Sequence, residues 1–416
     1  MHLEHPHEPS AGFRHLLKDL SVTNVSNALV GFIFAVTGPV AIILAVGTRG
    51  GLSEAQIASW LFGAYFLNSF ITIAFSLAYR QPLVFFWTIP GGVLVGPALT
   101  HLTFPEVVGA FIVTGIGTTL LGMTGLVRRV MQAVPMPIVM SMVAGVFLQF
   151  GLDWVRAFDQ AFWIAAPMTL VFLALTCIPR IARVLPPLIG ALAAGIAISA
   201  STGDFAPAID TATAIAAPQI VFPAFSWQAI AELSVPLAIT VLVVQNGQGV
   251  AVLTAAGHKP PVNSIAAISG LGGFVTAFFG AVSTCLTGPV SAILTTAGER
   301  ERQYTGAVVV ALLAMAFGLF SPLFTRLLLA APAPFIATLA GLAMLRVLQS
   351  SFATAFEGRF GFGALVTFLI TVSGISVANI GAPFWGLVFG YIVSRLLEPH
   401  DFRPRVPDIQ RRRAHP

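Results

Sequence analysis

Long stretches of this chain carry no charge at all, and that pattern restricts its fold more than any motif does. Uncharged runs follow one another from Leu20–Thr48 to Phe360–Ser394, and the shortest of them is Leu327–Leu345. Each is long enough for a spanning helix, which needs roughly 20 apolar residues at about 1.5 Å per residue. Only 9% of the 416 residues are charged, where a soluble domain carries about a quarter. A soluble core would break such runs at every helix or strand. The expected class is therefore an all-α polytopic membrane protein.

The formal net charge of +5 comes from short tails and loops. It forms no groove-sized basic patch, so no nucleic-acid partner is expected, and the basic residues read as topology signals. Cys177 and Cys285 both lie in apolar runs and read as small hydrophobes. No metal-ligand spacing, cofactor motif or catalytic cluster is apparent, which argues against a membrane enzyme. Residues Met1 to Asn24 are polar and lack the apolar core of a signal peptide, so this tail is expected in the cytoplasm.

The runs divide into fourteen segments. The first seven are 26–46, 57–77, 83–99, 106–126, 134–152, 161–179 and 185–200. A Pro/Ala/Thr-rich linker, Ser201–Ser226, precedes 228–256, 263–280, 283–298, 304–322, 331–352, 363–379 and 381–397. Two uncharged runs, Pro260–Gly298 and Phe360–Ser394, have to be split to reach this count. With both tails inside, only Arg49, Arg156 and Arg326 of the 21 Lys and Arg fall on the outer side, the asymmetry expected of an inner-membrane protein. An odd number of segments per half gives the halves opposite orientation, as in the inverted repeats of secondary transporters. The boundaries are a tail at 1–25, repeats at 26–200 and 227–397, an external linker at 201–226 and a tail at 398–416.

Segments 3 and 10 break the apolar pattern alike. Each runs from an aromatic or β-branched stretch into Thr88–Ile89–Pro90 or Thr287–Gly288–Pro289, then into a helix former. Proline suits the first turn of a helix, and a preceding threonine caps free amides. The pattern predicts an extended entry followed by half-helices over Pro90–Ala98 and Pro289–Ala297, starting near the bilayer midplane. Two Pro-kinked spanning helices are the plainer alternative. If the repeats are inverted, the half-helix N-termini face one site, and their amides suit a small anion.

The eighth segment places Gln245, Asn246 and Gln248 deep in apolar sequence. Unsatisfied amides in lipid cost several kcal/mol each, so these must face protein, water or substrate. Gln245 and Asn246 are the candidate ligands, with interhelical bonding as the alternative role. Thr37–Gly38–Pro39 in segment 1 offers backbone to the same cavity. No ionisable group is expected at mid-membrane; Glu232 is placed near the outer start of segment 8 and Glu106 at the boundary of segment 4.

With these residues in view, the chain resembles the bacterial benzoate/proton symporter family over roughly residues 15 to 397. The likeness is carried by Asn27–Phe32, Phe86–Gly92, Gln245–Gly249 and Ser283–Pro289. The resemblance implies a fold shared with nucleobase and sulfate transporters: a core domain from segments 1–4 and 8–11 and a gate domain from 5–7 and 12–14. Substrate would sit between the extended stretches of segments 3 and 10, against segments 1 and 8. The nucleobase branch uses acids in segments 8 and 10, and Gln245 and Ser283–Pro289 are not acidic, which favours a carboxylate substrate. Benzoate would then meet the half-helix amides, Thr88, Thr284, Thr287, Gly288, Gln245 and Asn246, with Thr37, Gly38 and Ile89 alongside and its ring against Phe34, Phe86 or Trp87. A proton is the implied coupling ion, lipid the surroundings and a homodimer the assembly this reading allows. A nucleobase or other anion transporter of the same fold, or an uncoupled facilitator, is the alternative.

Overall fold

The computed structural model describes residues 3–6, 13–133, 135–178, 185–203, 214–296 and 298–402. A short helix α1 (Phe13–Asp19) leads into α2 (Val22–Arg49), whose start is capped by Ser21 accepting from the Asn24 N–H. Then come α3 (Glu54–Tyr79), the strand β1 (Phe85–Trp87), α4 (Ile89–Ala98), α5 (Phe104–Thr124) and the short α6 (Val127–Ala133). The first half closes with α7 (Met136–Gln160), α8 (Phe162–Cys177) and α9 (Pro187–Thr202).

The second half holds α10 (Trp227–Ala255), α11 (Val262–Ala277), the strand β2 (Thr284–Leu286) and α12 (Gly288–Leu294). It continues with α13 (Tyr304–Leu319), α14 (Ser321–Leu329), α15 (Ala333–Phe356), α16 (Gly361–Ser373) and α17 (Ala382–Leu397). Seven of the helices are long and apolar enough to cross a membrane, and six more are shorter apolar helices. Exposed side chains such as Leu120, Leu170, Leu369 and Leu396 cover their outer faces, as lipid contact requires.

The two long uncharged runs split where required. Phe278–Ser283 separates α11 from β2, and Gly374–Gly381 separates α16 from α17. Helix α7 runs eight residues past the expected end, to Gln160. The second half-helix is shorter than expected: α12 ends at Leu294, where Thr295 turns its hydroxyl back onto the Ser291 and Ala292 carbonyls, and Ala297 lies outside the described residues. Asp204 and Asp210 of the linker also lie outside them. Its described part crosses several helix ends on one face, with Ala216, Val221 and Ala224 donating to the carbonyls of Leu319, Phe278 and Pro105.

Helix α5 packs along α11 with almost no side chain between them. A Cβ at Gly270 would meet Thr119 N at 2.3 Å, and one at Gly122 would meet Ala267 N at 2.4 Å. Small residues allow this approach where lipid supplies no hydrophobic drive for helices to pair. Helices α2, α3, α4, α12 and α13 pack with the β1–β2 ribbon, α5, α10 and α11. Helix α7 packs along α15, α8 along α9, and α16 along α17.

Candidate functional site

Proline at the second position of α4 and α12 ends each extended stretch where the notional helix begins, because it offers no N–H to a strand partner. The two stretches meet as an antiparallel ribbon in the protein interior. Phe85, Phe86 and Trp87 stand opposite Leu286, Cys285 and Thr284. The ribbon extends by one bond at each end: Thr88 N donates to Ser283 O at 3.0 Å, and Thr287 N to Val84 O at 2.9 Å. This pairing satisfies backbone that could find no water in a membrane. It also sets the two half-helix starts at opposite ends of the ribbon. Four residues of strand separate them, roughly 13 Å at about 3.3 Å each, so they flank the ribbon and do not abut.

The two ends differ. At the first, the Thr88 hydroxyl accepts from Gly91 N at 3.2 Å and donates to Thr240 Oγ1 at 3.2 Å. Space for a Cβ at Gly91 is taken by Leu237 and Thr240, so α10 closes over this turn. At the second, Thr287 makes no side-chain cap. Among the described residues its hydroxyl has no partner, and neither the Gly288 nor the Val290 N–H has an acceptor. A Cβ at Gly288 would lie 2.6 Å from Gln248 Cγ, so the Gln248 side chain arches over this start.

The amides of α10 divide their work. Residues Thr240–Asn246 form a π-helical turn, which rotates successive side chains relative to a plain helix. Asn246 Oδ1 accepts from Leu286 N at 2.7 Å, and its Nδ2 donates to Ser269 Oγ at 3.3 Å. Asn246 is thus spent on holding β2 and α11. Gln245 is 7% exposed and makes no hydrogen bond to a described residue. Ser283 Oγ is likewise buried without a partner at the Thr88 end.

The remaining expected site residues are distributed as follows. Thr284 is fully buried and donates to Asn68 Oδ1 at 2.8 Å. Phe86 and Trp87 are buried against Tyr65, with Trp87 Nε1 donating to Tyr65 Oη at 3.3 Å and that hydroxyl donating to Ala35 O at 2.6 Å. Ile89 is half-buried at the start of α4. Thr37 returns its hydroxyl to the Ile33 carbonyl, and Gly38 faces Ala343 of α15, where a Cβ would come within 2.8 Å. Phe34 is exposed. Two cavities lie to either side of the ribbon and do not include it. One of about 220 Å³ sits between α2, α4 and α7, lined by Val46, Arg49, Gly96 and Gln149. The other, about 710 Å³, lies between α6, α10 and the start of α7, with Glu4, Arg128 and His258 at its wall.

Several functional candidates escape sequence reasoning. Arg49 at the end of α2 pairs with Asp153 of α7, which also takes Arg156 at 3.2 Å. Glu232 is buried and lies 2.8 Å from His101 Nε2, where sequence placed it superficially. Glu4 of the polar tail caps α11, accepting from Asn263 N and Ser264 N at 3.1 and 3.0 Å. His258, outside the helices, donates to or accepts from Gln303 at 2.8 Å, and burial holds its imidazole below the ordinary histidine range. No local signal marks these pairs, whose members are far apart in the chain.

A family model described as benzoate membrane transport protein matches residues 18–396. The Escherichia coli inner membrane protein YdcO is 32% identical over 380 residues, 89% of this chain and 96% of that one. The Acinetobacter baylyi benzoate membrane transport protein is 27% identical over 390 residues, 92% of this chain and 97% of that one. Among solved structures, the transmembrane domain of a cyanobacterial bicarbonate transporter, BicA, shares the fold at a TM-score of 0.60 and 15% identity, covering 92% of this chain and 99% of that one.

Proposed function

The chain belongs to the benzoate membrane transport protein family, and from that premise we propose that it imports benzoate or a similar aromatic monocarboxylate with a proton. It is a multi-pass inner-membrane transporter and not an enzyme. The observation that carries the substrate reading is the open start of α12. In a ribbon whose other donors are paired, the Gly288 and Val290 amides, the Thr287 hydroxyl and the Gln245 amide are left without partners among the described residues. An anion leaving water needs donors to replace its hydration, and a helix start supplies them with a favourable dipole. No Lys or Arg stands beside this start to hold a doubly charged anion, which suits a monocarboxylate. The ring would extend toward α2, where Phe34 keeps a free face.

In this reading α2–α5 and α10–α13 with the ribbon form the core, and α7–α9 with α15–α17 form the gate. Fourteen segments in two inverted sevens, both termini cytoplasmic, would let the core carry the site past the gate. The two cavities on either side of the ribbon suit entry and exit routes for such a motion. Uptake of labelled benzoate into proteoliposomes, with and without an inward proton gradient, tests the function. Gradient-stimulated accumulation is expected. Uptake that only equilibrates, whatever the gradient, would make the protein a facilitator, and no uptake of benzoate or its ring-substituted analogues would overturn the reading.

A further inference from the structure

We propose that Glu232 and His101 form a proton-binding site that latches the start of α17 to α10 on the face crossed by the linker. Among the described residues Glu232 is the one Asp or Glu that is almost fully buried, at 4% exposure. Its Oε2 lies 2.8 Å from His101 Nε2, and the His101 side chain keeps 24% exposure. The histidine thus links a buried carboxylate to the water outside. A carboxylate held by arginine would stay charged, whereas a histidine partner exchanges its own proton in the ordinary pH range.

The other oxygen of Glu232 faces α17. A Cβ at Gly381, the cap of that helix, would sit 2.5 Å from Glu232 Oε1. The carboxylate therefore rests on the backbone at a helix N-terminus, where partial positive charge favours the anion. A tight turn presents this glycine: Ala378 and Asn379 have φ of 53° and 57°, and Val377 and Ile380 exchange both backbone bonds at 3.1 Å. That is the geometry of a primed hairpin turn, rigid because both central residues are left-handed. Any residue larger than glycine at 381 would displace the carboxylate.

Few other charges face this corner among the described residues. Glu106 in the first turn of α5 is held by Thr103 N and Oγ1 at 2.9 and 2.7 Å. Helix α4 has no titratable group, and residues 227–239 of α10 bring only Glu232 itself. Helix α17 has Tyr391 and Arg395, the latter fourteen residues, about 21 Å, further along it. Helix α7, which packs on α17, carries Asp153, Arg156 and Asp159 in its last turns, with Asp153 engaged by Arg49 and Arg156. The charge of Glu232 therefore answers mainly to His101 and the α17 dipole. Protonation removes the anion from the helix start and frees α17 to separate from α10. The functional consequence rests on the core-and-gate reading above, while the latch itself can be tested without substrate.

The test is amide hydrogen exchange of residues 375–390 in lipid nanodiscs between about pH 8 and about pH 5, corrected for the intrinsic pH dependence of exchange. In the wild type, exchange at the α17 start is expected to rise roughly tenfold as pH falls, as an anion–dipole contact is lost. Glu232→Gln should exchange fast at both pH values with no slope. His101→Gln should raise exchange at the higher pH and keep part of the slope. Exchange that is flat in the wild type, or an equal slope in E232Q, overturns the site. Should E232Q not be recovered folded, H101Q decides the matter, and wild-type exchange in H101Q overturns the latch. Because no substrate is present, these results are independent of whether benzoate is transported.

Discussion

Asn246 accepts the Leu286 N–H at 2.7 Å, so the side chain of one long helix supplies a bond that β2 would otherwise lack. The amide that looks most like a ligand in sequence is a brace for the ribbon that carries the half-helix starts. Asn246→Ala leaves a buried N–H unpaired. We expect a loss of about 1–3 kcal/mol in stability, with substrate affinity falling because the ribbon shifts. Ser269→Ala, which removes only the 3.3 Å partner, should cost less, about 0.5–1.5 kcal/mol. Thermal unfolding in detergent compares the two, and equal effects would show that the Leu286 bond carries no special weight.

The pair of Arg49 with Asp153 joins α2 to α7 beside the smaller cavity. Gly96 lines that cavity, and a Cβ there meets nothing nearer than Val46 at 3.8 Å, so a cysteine fits. In a Cys177→Ser background, which removes the exposed native thiol, Gly96→Cys should react slowly with a membrane-impermeant maleimide. Adding Asp153→Asn should speed the reaction severalfold, by about the 0.2–1 kcal/mol of an exposed pair. An unchanged rate would mean that the pair does not restrain the α2–α7 contact.

The α5–α11 approach should tolerate no side chain. Gly270→Ala puts a methyl group 2.3 Å from Thr119 N and 2.6 Å from Gly115 O, backbone atoms that cannot rotate away. A cost of about 1–3 kcal/mol is expected, whereas Gly117→Ala, which meets nothing within 4 Å, should be close to neutral. Expression and thermal stability of the two variants check this directly.

His258 gives a pH dependence of known sign. Burial, partly offset by the Gln303 hydrogen bond, lowers its pKa in the folded protein. The unfolded chain then binds the proton more readily, so stability rises with pH and falls as pH drops through the ordinary histidine value of about 6.5. His258→Gln should flatten that part of the profile between about pH 7.5 and about pH 5.5. A profile unchanged by the substitution would assign the acid sensitivity to other groups.

The repeated threonine-to-proline steps made the two half-helices legible in sequence, because proline and a capping hydroxyl act over three or four residues. The uncharged runs made the apolar helices legible for the same local reason. What was not legible depends on contacts across the fold. Thr88 meets Thr240, Asn246 meets Leu286 and His101 meets Glu232, and no periodicity announces these partners. The short α12 is another case: nothing in Thr295 or Thr296 says that their hydroxyls turn back onto the helix and end it.

The central claim is that the open start of α12 reads a carboxylate, and calorimetry on the purified protein tests it with benzoate and neutral benzamide. Losing one hydrogen bond to a charged group costs about 1.5–3 kcal/mol, or roughly ten- to a hundredfold in affinity. Benzoate should therefore bind at least about tenfold more tightly than benzamide. Thr287→Val, which keeps the shape and removes the unpartnered hydroxyl, should weaken benzoate by a similar factor and leave benzamide nearly unchanged. Equal affinity for the two ligands in the wild type would contradict the account.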